Sequence, residues 1–99
     1  STGRALFDAA LDGGSTALGA GPARIAVGAS ADFVSLDQNH PSLAGKTGDA
    51  ILDAWIFANG TKVDCVWVHG KKQVSGGRHI GREAIAERFR AVMTALSAA

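Results

Sequence analysis

A chain of 99 residues, 46% hydrophobic and 19% charged, has the make-up of one ordinary globular domain with a single core, which excludes a disordered tail or a fibrous repeat. Ten Lys and Arg against nine Asp and Glu leave a net charge of +1, too weak a field to recruit nucleic acid or an anionic membrane, so neither is an expected partner. The single Cys65 excludes an internal disulfide, no run approaches the roughly 20 apolar residues of a membrane span, and Ser1 is not followed by a signal-peptide core, so a cytoplasmic location is expected.

Ser1 or Thr2 can cap an amphipathic helix whose apolar positions Phe7, Leu11 and Leu18 recur at helical spacing, with Arg4, Asp8, Asp12 and Ser15 opposite. Gly13-Gly14 costs about 1 kcal/mol of helix propensity per glycine, which predicts either a break there or tight packing that compensates. A chain that starts abruptly at a helix cap, with no Met and no preceding strand, is expected to be a piece of a larger protein. Gly19-Ala20-Gly21-Pro22 ends the helix, since Pro22 cannot continue it and glycine suits the left-handed cap. These glycines do not make a dinucleotide fingerprint, because Arg24 stands in the last place and a helix, not a strand, precedes them.

Val27 to Asp37, VGASADFVSLD, reads as the central strand: Phe33, Val34 and Leu36 suit a half-buried pleated surface, and Asp32 and Asp37 bracket them. Its expected partner is Val63 to His69, where Cys65, Trp67 and His69 share one face and Asp64, Val66 and Val68 the other. Between them, Gln38-Asn39-His40-Pro41 is turn-rich and Ser42 to Gly48 is loop-like. Thr47 then caps a helix with Asp49 in its first turn. The pairs Ile51/Trp55 and Leu52/Ile56 make that helix apolar over a wide arc and predict that it is mostly buried, and Asn59-Gly60 stops it. Asn59-Gly60-Thr61 also spells a glycosylation acceptor, but without a secretory signal the letters read as a turn. Gly70-Lys71 turns the chain into a short strand at residues 73–75, closed by Gly76-Gly77. A C-terminal helix follows, with Ile85, Phe89, Val92 and Leu96 on one face as a core stripe and Glu83, Arg88, Arg90 and Thr94 largely elsewhere.

None of this carries evident chemistry. His40, His69 and His79 form no H-x-H or H-x-x-x-H pair, and each reads as structural or solvent-facing. Cys65 and His69 lie four strand residues apart, about 13 Å between Cα atoms at ~3.3 Å per residue, too far to share one ion. Cys65 has neither a helix N-terminus nor a cationic neighbour to lower its thiol pKa. Lys71, Lys72, Arg78, His79 and Arg82 form a loosely basic segment that reads as a solvated hairpin, since no aromatic residues interleave with the charges. Asp32 and Asp37, five apart on a strand, project to opposite faces and fail as an acid/base pair, and Trp55 and Trp67 read as core. The residues therefore nominate no catalytic, substrate-binding or metal-ligating position.

GASADFVSLD followed by VWVHGKKQVSGG resembles the C-terminal segment of the amidohydrolase superfamily, in which a G-x-x-A-D-x-V-x-L-D strand and a V-x-V-x-G-x-x-V hairpin belong to a small β-sandwich attached to a metal-dependent (β/α)8 barrel. HPSLAG with GDAILDAWIF looks most like the formimidoylglutamate deiminase family within it, whose members hydrolyse formimidoylglutamate to formylglutamate and ammonia in histidine degradation. The resemblance implies an α+β piece of a larger enzyme. Residues 1–20 would be a late barrel helix, 21–78 part of the β-sandwich, and 79–99 a helix packing back on the barrel. It also implies that the catalytic and metal-binding residues lie upstream of Ser1, that the cofactor is a divalent ion, zinc foremost, held by the barrel and not by this chain, and that the chain alone is inactive. The partners so implied are the barrel and the N-terminal sandwich strands of the same polypeptide, and the isolated chain is expected to self-associate as a homo-oligomer. Other amidohydrolases, of the imidazolonepropionase, nucleobase deaminase or chlorohydrolase type, are alternatives. A stand-alone interaction module with no enzyme parent is a third reading.

Overall fold

In the computed structural model, which describes residues 1–99, three helices and a four-stranded sheet make an α+β chain. Helix α1 (Thr2–Leu18) is followed by strand β1 (Phe33–Leu36), a 3-10 turn (Pro41–Leu43) and helix α2 (Asp49–Phe57). Strands β2 (Val63–Val68), β3 (Lys71–Ser75) and β4 (Arg78–His79) and helix α3 (Arg82–Ala98) complete it. The sheet is antiparallel in the order β1-β2-β3-β4. Helix α1 packs on α2, and the 3-10 turn packs on α2 in turn.

Helix α1 starts where Ser1 accepts the backbone N–H of Arg4 at 3.1 Å. It runs unbroken through Gly13-Gly14, so the expected break is absent, and so is the expected packing, since a Cβ at either glycine would meet nothing within 4 Å. Gly19 adopts the left-handed conformation, and the N–H groups of Gly19 and Ala20 close on the carbonyls of Thr16 and Ser15. At the N-terminus the second free donor, Gly3 N–H, points at the Asp53 carboxylate of α2, 2.7 Å away, which brings a negative charge to the positive end of α1. Phe7 meets Trp55 with ring centroids 5.8 Å apart, and Arg4 reaches Asp49 at 3.0 Å and Asp8 at 3.2 Å.

The expected pairing of the two principal strands is present, with Phe33 opposite Trp67, Val34 opposite Val66 and Ser35 opposite Cys65. The first strand is shorter than the sequence suggests. Residues 24–29 form bends and turns, with Ala29 N–H closing on the Ala26 carbonyl and Gly28 at φ 85°, and Val27 is fully exposed. The second strand stops at Val68, and His69 at φ 49° with Gly70 at φ 75° makes the tight turn into β3. Two positive-φ residues match the right-handed twist of the flanking strands, so His69 leaves the face it was expected to share with Cys65 and Trp67. Strand β3 begins at Lys71, and Gly76-Gly77 opens onto the further short strand β4 where the sequence predicts an end.

Helix α2 is capped by Gly48, not by the Thr47 side chain, and the 3-10 turn occupies part of the predicted loop. The expectation that α2 is mostly buried fails: only Ala54 is buried, while Ile56 and Phe57 are exposed. Helix α3 forms as predicted, but its stripe is not part of any core within the chain, and none of its residues is buried. Only Gly3, Leu43, Ala54 and Cys65 are buried. The accessible surface is 7441 Å² where a compact monomer of 10.1 kDa shows about 5,300 Å². The radius of gyration is 17.3 Å, against about 13 Å for a compact domain of this length. No helix is long and apolar enough to cross a membrane.

Candidate functional site

A groove of about 690 Å³ lies between the second half of α1, residues 20–30 and the start of β1. Leu11, Leu18, Ile25, Phe33 and Val34 supply its apolar walls. Its polar rim is organised by Asp32, which the sequence places on a strand and the structure places just before it. Asp32 Oδ1 accepts the backbone N–H of His69 at 2.8 Å, and Oδ2 accepts the Ser30 hydroxyl at 2.8 Å. Ala31 carbonyl accepts the N–H of Gly70 at 2.8 Å. The segment before β1 therefore clamps the tip of the β2–β3 hairpin.

The same bonds decide what Asp32 can do. The His69 amide, then the Ser30 hydroxyl, favour the ionised carboxylate and hold its pKa below the ordinary aspartate range. A general base for neutral solution needs the opposite displacement and a free lone pair facing a substrate, so Asp32 is a clamp and not a reactive group. Because its folded pKa is depressed, its contribution to stability is fully present above the unfolded aspartate pKa of about 3.9 and is lost as pH falls through the lower folded value. Asp32→Asn is expected to remove the part of the acid unfolding transition that lies in that window, read as a flatter stability-against-pH curve below pH about 4. An unchanged curve would remove Asp32 from the clamp.

Asp37 also lies outside the strand, where its Oδ1 accepts the N–H of Asn39 at 3.1 Å in a turn, so it makes no pair with Asp32. His40 caps the 3-10 turn: its Nδ1 accepts the N–H of Ser42 at 3.2 Å and lies 2.8 Å from the Ser42 hydroxyl, which in turn touches the Thr61 hydroxyl. With Nδ1 accepting, both hydroxyls orient toward the ring, Thr61 donating to Ser42 and Ser42 to His40. This superficially matches a nucleophile beside a base, but no carboxylate orients the imidazole through Nε2, and the ring is committed to a turn two residues away. His79 Nδ1 accepts the N–H of Gly81 at 2.9 Å, and His69 lies in the hairpin turn. The structure thus puts the three histidines in three separate places, His40 at the 3-10 turn, His69 in the hairpin turn and His79 on strand β4. No group of three or more His, Cys, Asp or Glu lies close enough together to hold a metal ion, so the donors of this chain do not fit the divalent ion that the family resemblance implies.

The basic segment is split in two. Lys72 Nζ sits 5.3 Å from the Trp67 ring centroid, whereas Arg78 and Arg82 line a cleft beside Glu83 and Glu87 at the start of α3. Trp67 also stacks on Phe33 with centroids 4.8 Å apart, so both tryptophans are half-buried braces between elements. The contacts that sequence reasoning misses are Gly3 with Asp53 and Asp32 with His69. A glycine inside a helix's first turn signals a close approach but not its partner.

No family model matches the chain. It is 49% identical over 88 residues to the formimidoylglutamate deiminase of Pseudomonas aeruginosa, an alignment covering 88% of this chain and 19% of that protein. The crystal structure of an amidohydrolase from Brucella melitensis matches it with a TM-score of 0.85 and 49% identity, covering 97% of this chain and 21% of that one. The chain therefore spans about a fifth of the length of the proteins it matches.

Proposed function

We infer that this chain is a segment of an amidohydrolase of the formimidoylglutamate deiminase kind, a non-catalytic part of an enzyme that hydrolyses a C–N bond in formimidoylglutamate and releases ammonia. The observation that carries this reading is 49% identity held over nearly the whole chain to about a fifth of a deiminase. Two physical features support it. The chain gathers no acid, base, nucleophile or metal-ligand cluster of its own, and it exposes roughly 2,100 Å² more surface than a compact monomer of its mass. In this reading the reactive groups, and the residues that hold any zinc or similar ion, belong to the remaining four-fifths of the polypeptide, of which the β-sandwich strands and the barrel are the parts that cover the groove beside α1 and β1. The work of this segment is to hold shape: α1 is pinned to α2 through Asp53, and the hairpin is pinned through Asp32.

Two measurements test it. The chain alone, supplied with formimidoylglutamate and any divalent metal, should release no ammonia above background, and turnover would overturn the reading. Substituted for the matching segment of the Pseudomonas aeruginosa deiminase, it should leave formimidoylglutamate turnover within about tenfold of the parent, a change of about 1.4 kcal/mol in barrier. A folded chimera that has lost that activity would reassign the chain to another amidohydrolase or to an interaction module.

A further inference from the structure

The chain has two asparagines, Asn39 and Asn59, both exposed, and an asparagine can react with its own backbone. Its side-chain carbonyl carbon is one bond short of a five-membered ring with the nitrogen of the next residue, and closure of that ring is one source of the thermal lability of asparagine. Two conditions gate the closure: the next N–H has to be free of hydrogen bonds, and the next side chain has to leave room for the approach.

Exposure does not tell the two asparagines apart, but hydrogen bonding does. After Asn39 comes His40, whose N–H is donated to the Asp37 carbonyl at 3.1 Å, while the N–H of Asn39 itself is held by the Asp37 carboxylate at 3.1 Å. The turn therefore occupies the nitrogen that would attack. After Asn59 comes Gly60, whose N–H has no protein partner, and the side-chain bonds of this corner run between His40, Ser42 and Thr61 and bypass both residues. Gly60 sits at φ 154° and has no Cβ, which leaves the approach to its nitrogen open. The pair lies between the end of α2 at Phe57 and the start of β2 at Val63, outside both hydrogen-bonded ladders. Asp12-Gly13, whose aspartate could close the same ring, lies inside α1, where the Gly13 N–H belongs to the helical ladder.

We propose that Asn59-Gly60 is a self-modification site, which deamidates through a succinimide and which the fold leaves open while it shields Asn39. Hydroxide takes the Gly60 N–H proton, the nitrogen attacks Asn59 Cγ, the N–Cγ bond forms as the Cγ–Nδ2 bond breaks, and Nδ2 leaves as ammonia with a proton from water. Water then opens the ring: entry at Cγ gives aspartate, and entry at the backbone carbonyl carbon of Asn59 gives isoaspartate, with the chain rerouted through the side chain. Either product puts a negative charge just beyond the last turn of α2 and takes the net charge from +1 to zero. Isoaspartate also adds a backbone atom beside Gly60, where the His40 ring packs so closely that a Cβ would lie 3.0 Å from its Cε1. This rests on contacts within the chain and does not depend on the deiminase reading, and the ammonia it releases needs no substrate and stops at one per site.

The folded chain, incubated at mildly alkaline pH, should develop an acidic band on isoelectric focusing. Peptide mapping should place the mass gain of O for NH at Asn59, and an isoaspartyl methyltransferase should methylate that peptide. Asn59 should react about tenfold faster than Asn39, where a hydrogen bond must first break, and in urea, where Asp37 no longer holds the His40 N–H, the ratio should narrow. Asn59→Gln, which would need a six-membered ring, should abolish the acidic band with the far-UV spectrum unchanged. Asn59 left intact, equal rates at the two asparagines in the folded chain, a ratio that urea does not change, or an acidic band that persists in N59Q would each overturn the proposal.

Discussion

Gly3→Ala is expected to lower the melting temperature by about 10–20 °C. A Cβ at Gly3 would lie 2.8 Å from the backbone nitrogen of Asp53 and 2.9 Å from its Cα, and would overlap its carboxylate. Backbone atoms of a helix cannot rotate aside, so α1 and α2 must separate. Overpacking of this kind costs about 1–3 kcal/mol, and separation also weakens the Gly3 N–H bond to a carboxylate, a charged hydrogen bond contributing about 1.5–3 kcal/mol. A loss of roughly 3 kcal/mol is a large fraction of the stability of a chain at the low end of the usual 5–15 kcal/mol, and this chain buries only four residues. The control is the same substitution at Gly13, where a Cβ meets nothing within 4 Å. Gly13→Ala should raise stability by about 0.5–1 kcal/mol through helix propensity alone. Thermal unfolding followed at 222 nm reads both. Equal shifts at the two positions would show that α1 does not rest on α2 through Gly3.

Trp67→Ala is the second large effect, about 2–3 kcal/mol. The ring joins three strands: it stacks on Phe33 of β1 at 4.8 Å and an interplanar angle of 30°, and it takes Lys72 of β3 over its face. Truncating a fully buried Trp costs about 3–5 kcal/mol, and this ring is only half-buried. To the reduced area loss are added an aromatic pair of about 0.5–1.5 kcal/mol and an exposed cation–π contact of about 0.5–1 kcal/mol. A double-mutant cycle with Phe33→Ala separates the pair from the area, and a coupling near zero would show that the two rings are neighbours without mutual stabilisation.

Features with a local cause were legible in the sequence. Ser1, Gly19 and the apolar spacing of Phe7 and Leu11 define α1, and the stretches around Phe33 and Trp67 read as two strands that pair, though not in which register. What failed had causes elsewhere in the molecule. His69 reads as the continuation of an alternating strand, yet the turn needs positive φ there and Asp32 accepts its amide. Asp53 is one acid among several on a helix until α1, 50 residues away in sequence, arrives with a free N–H. The apolar arc of α2 correctly signalled a helix and wrongly signalled burial, while the stripe of α3 signalled a helix whose cover the family resemblance places outside this chain, since an apolar face states that it needs covering and not by what. Of the candidate site, the lack of reactive spacing among the histidines was visible in the sequence. The groove and its Asp32 clamp, which join residues 30–32 to residues 69–70, were not.

Cys65 sits in the middle strand pair, with its N–H held by the Ser35 hydroxyl and its thiol screened from solvent. It is the one sulfhydryl of the chain and is buried, so an alkylating reagent reaches it fully only when the structure around β2 opens. The labelling rate, divided by that of an unfolded peptide thiol, then gives the equilibrium of that local opening. The molecule thus carries a native chemical stopwatch for its own breathing, placed where the two longest-range strands meet.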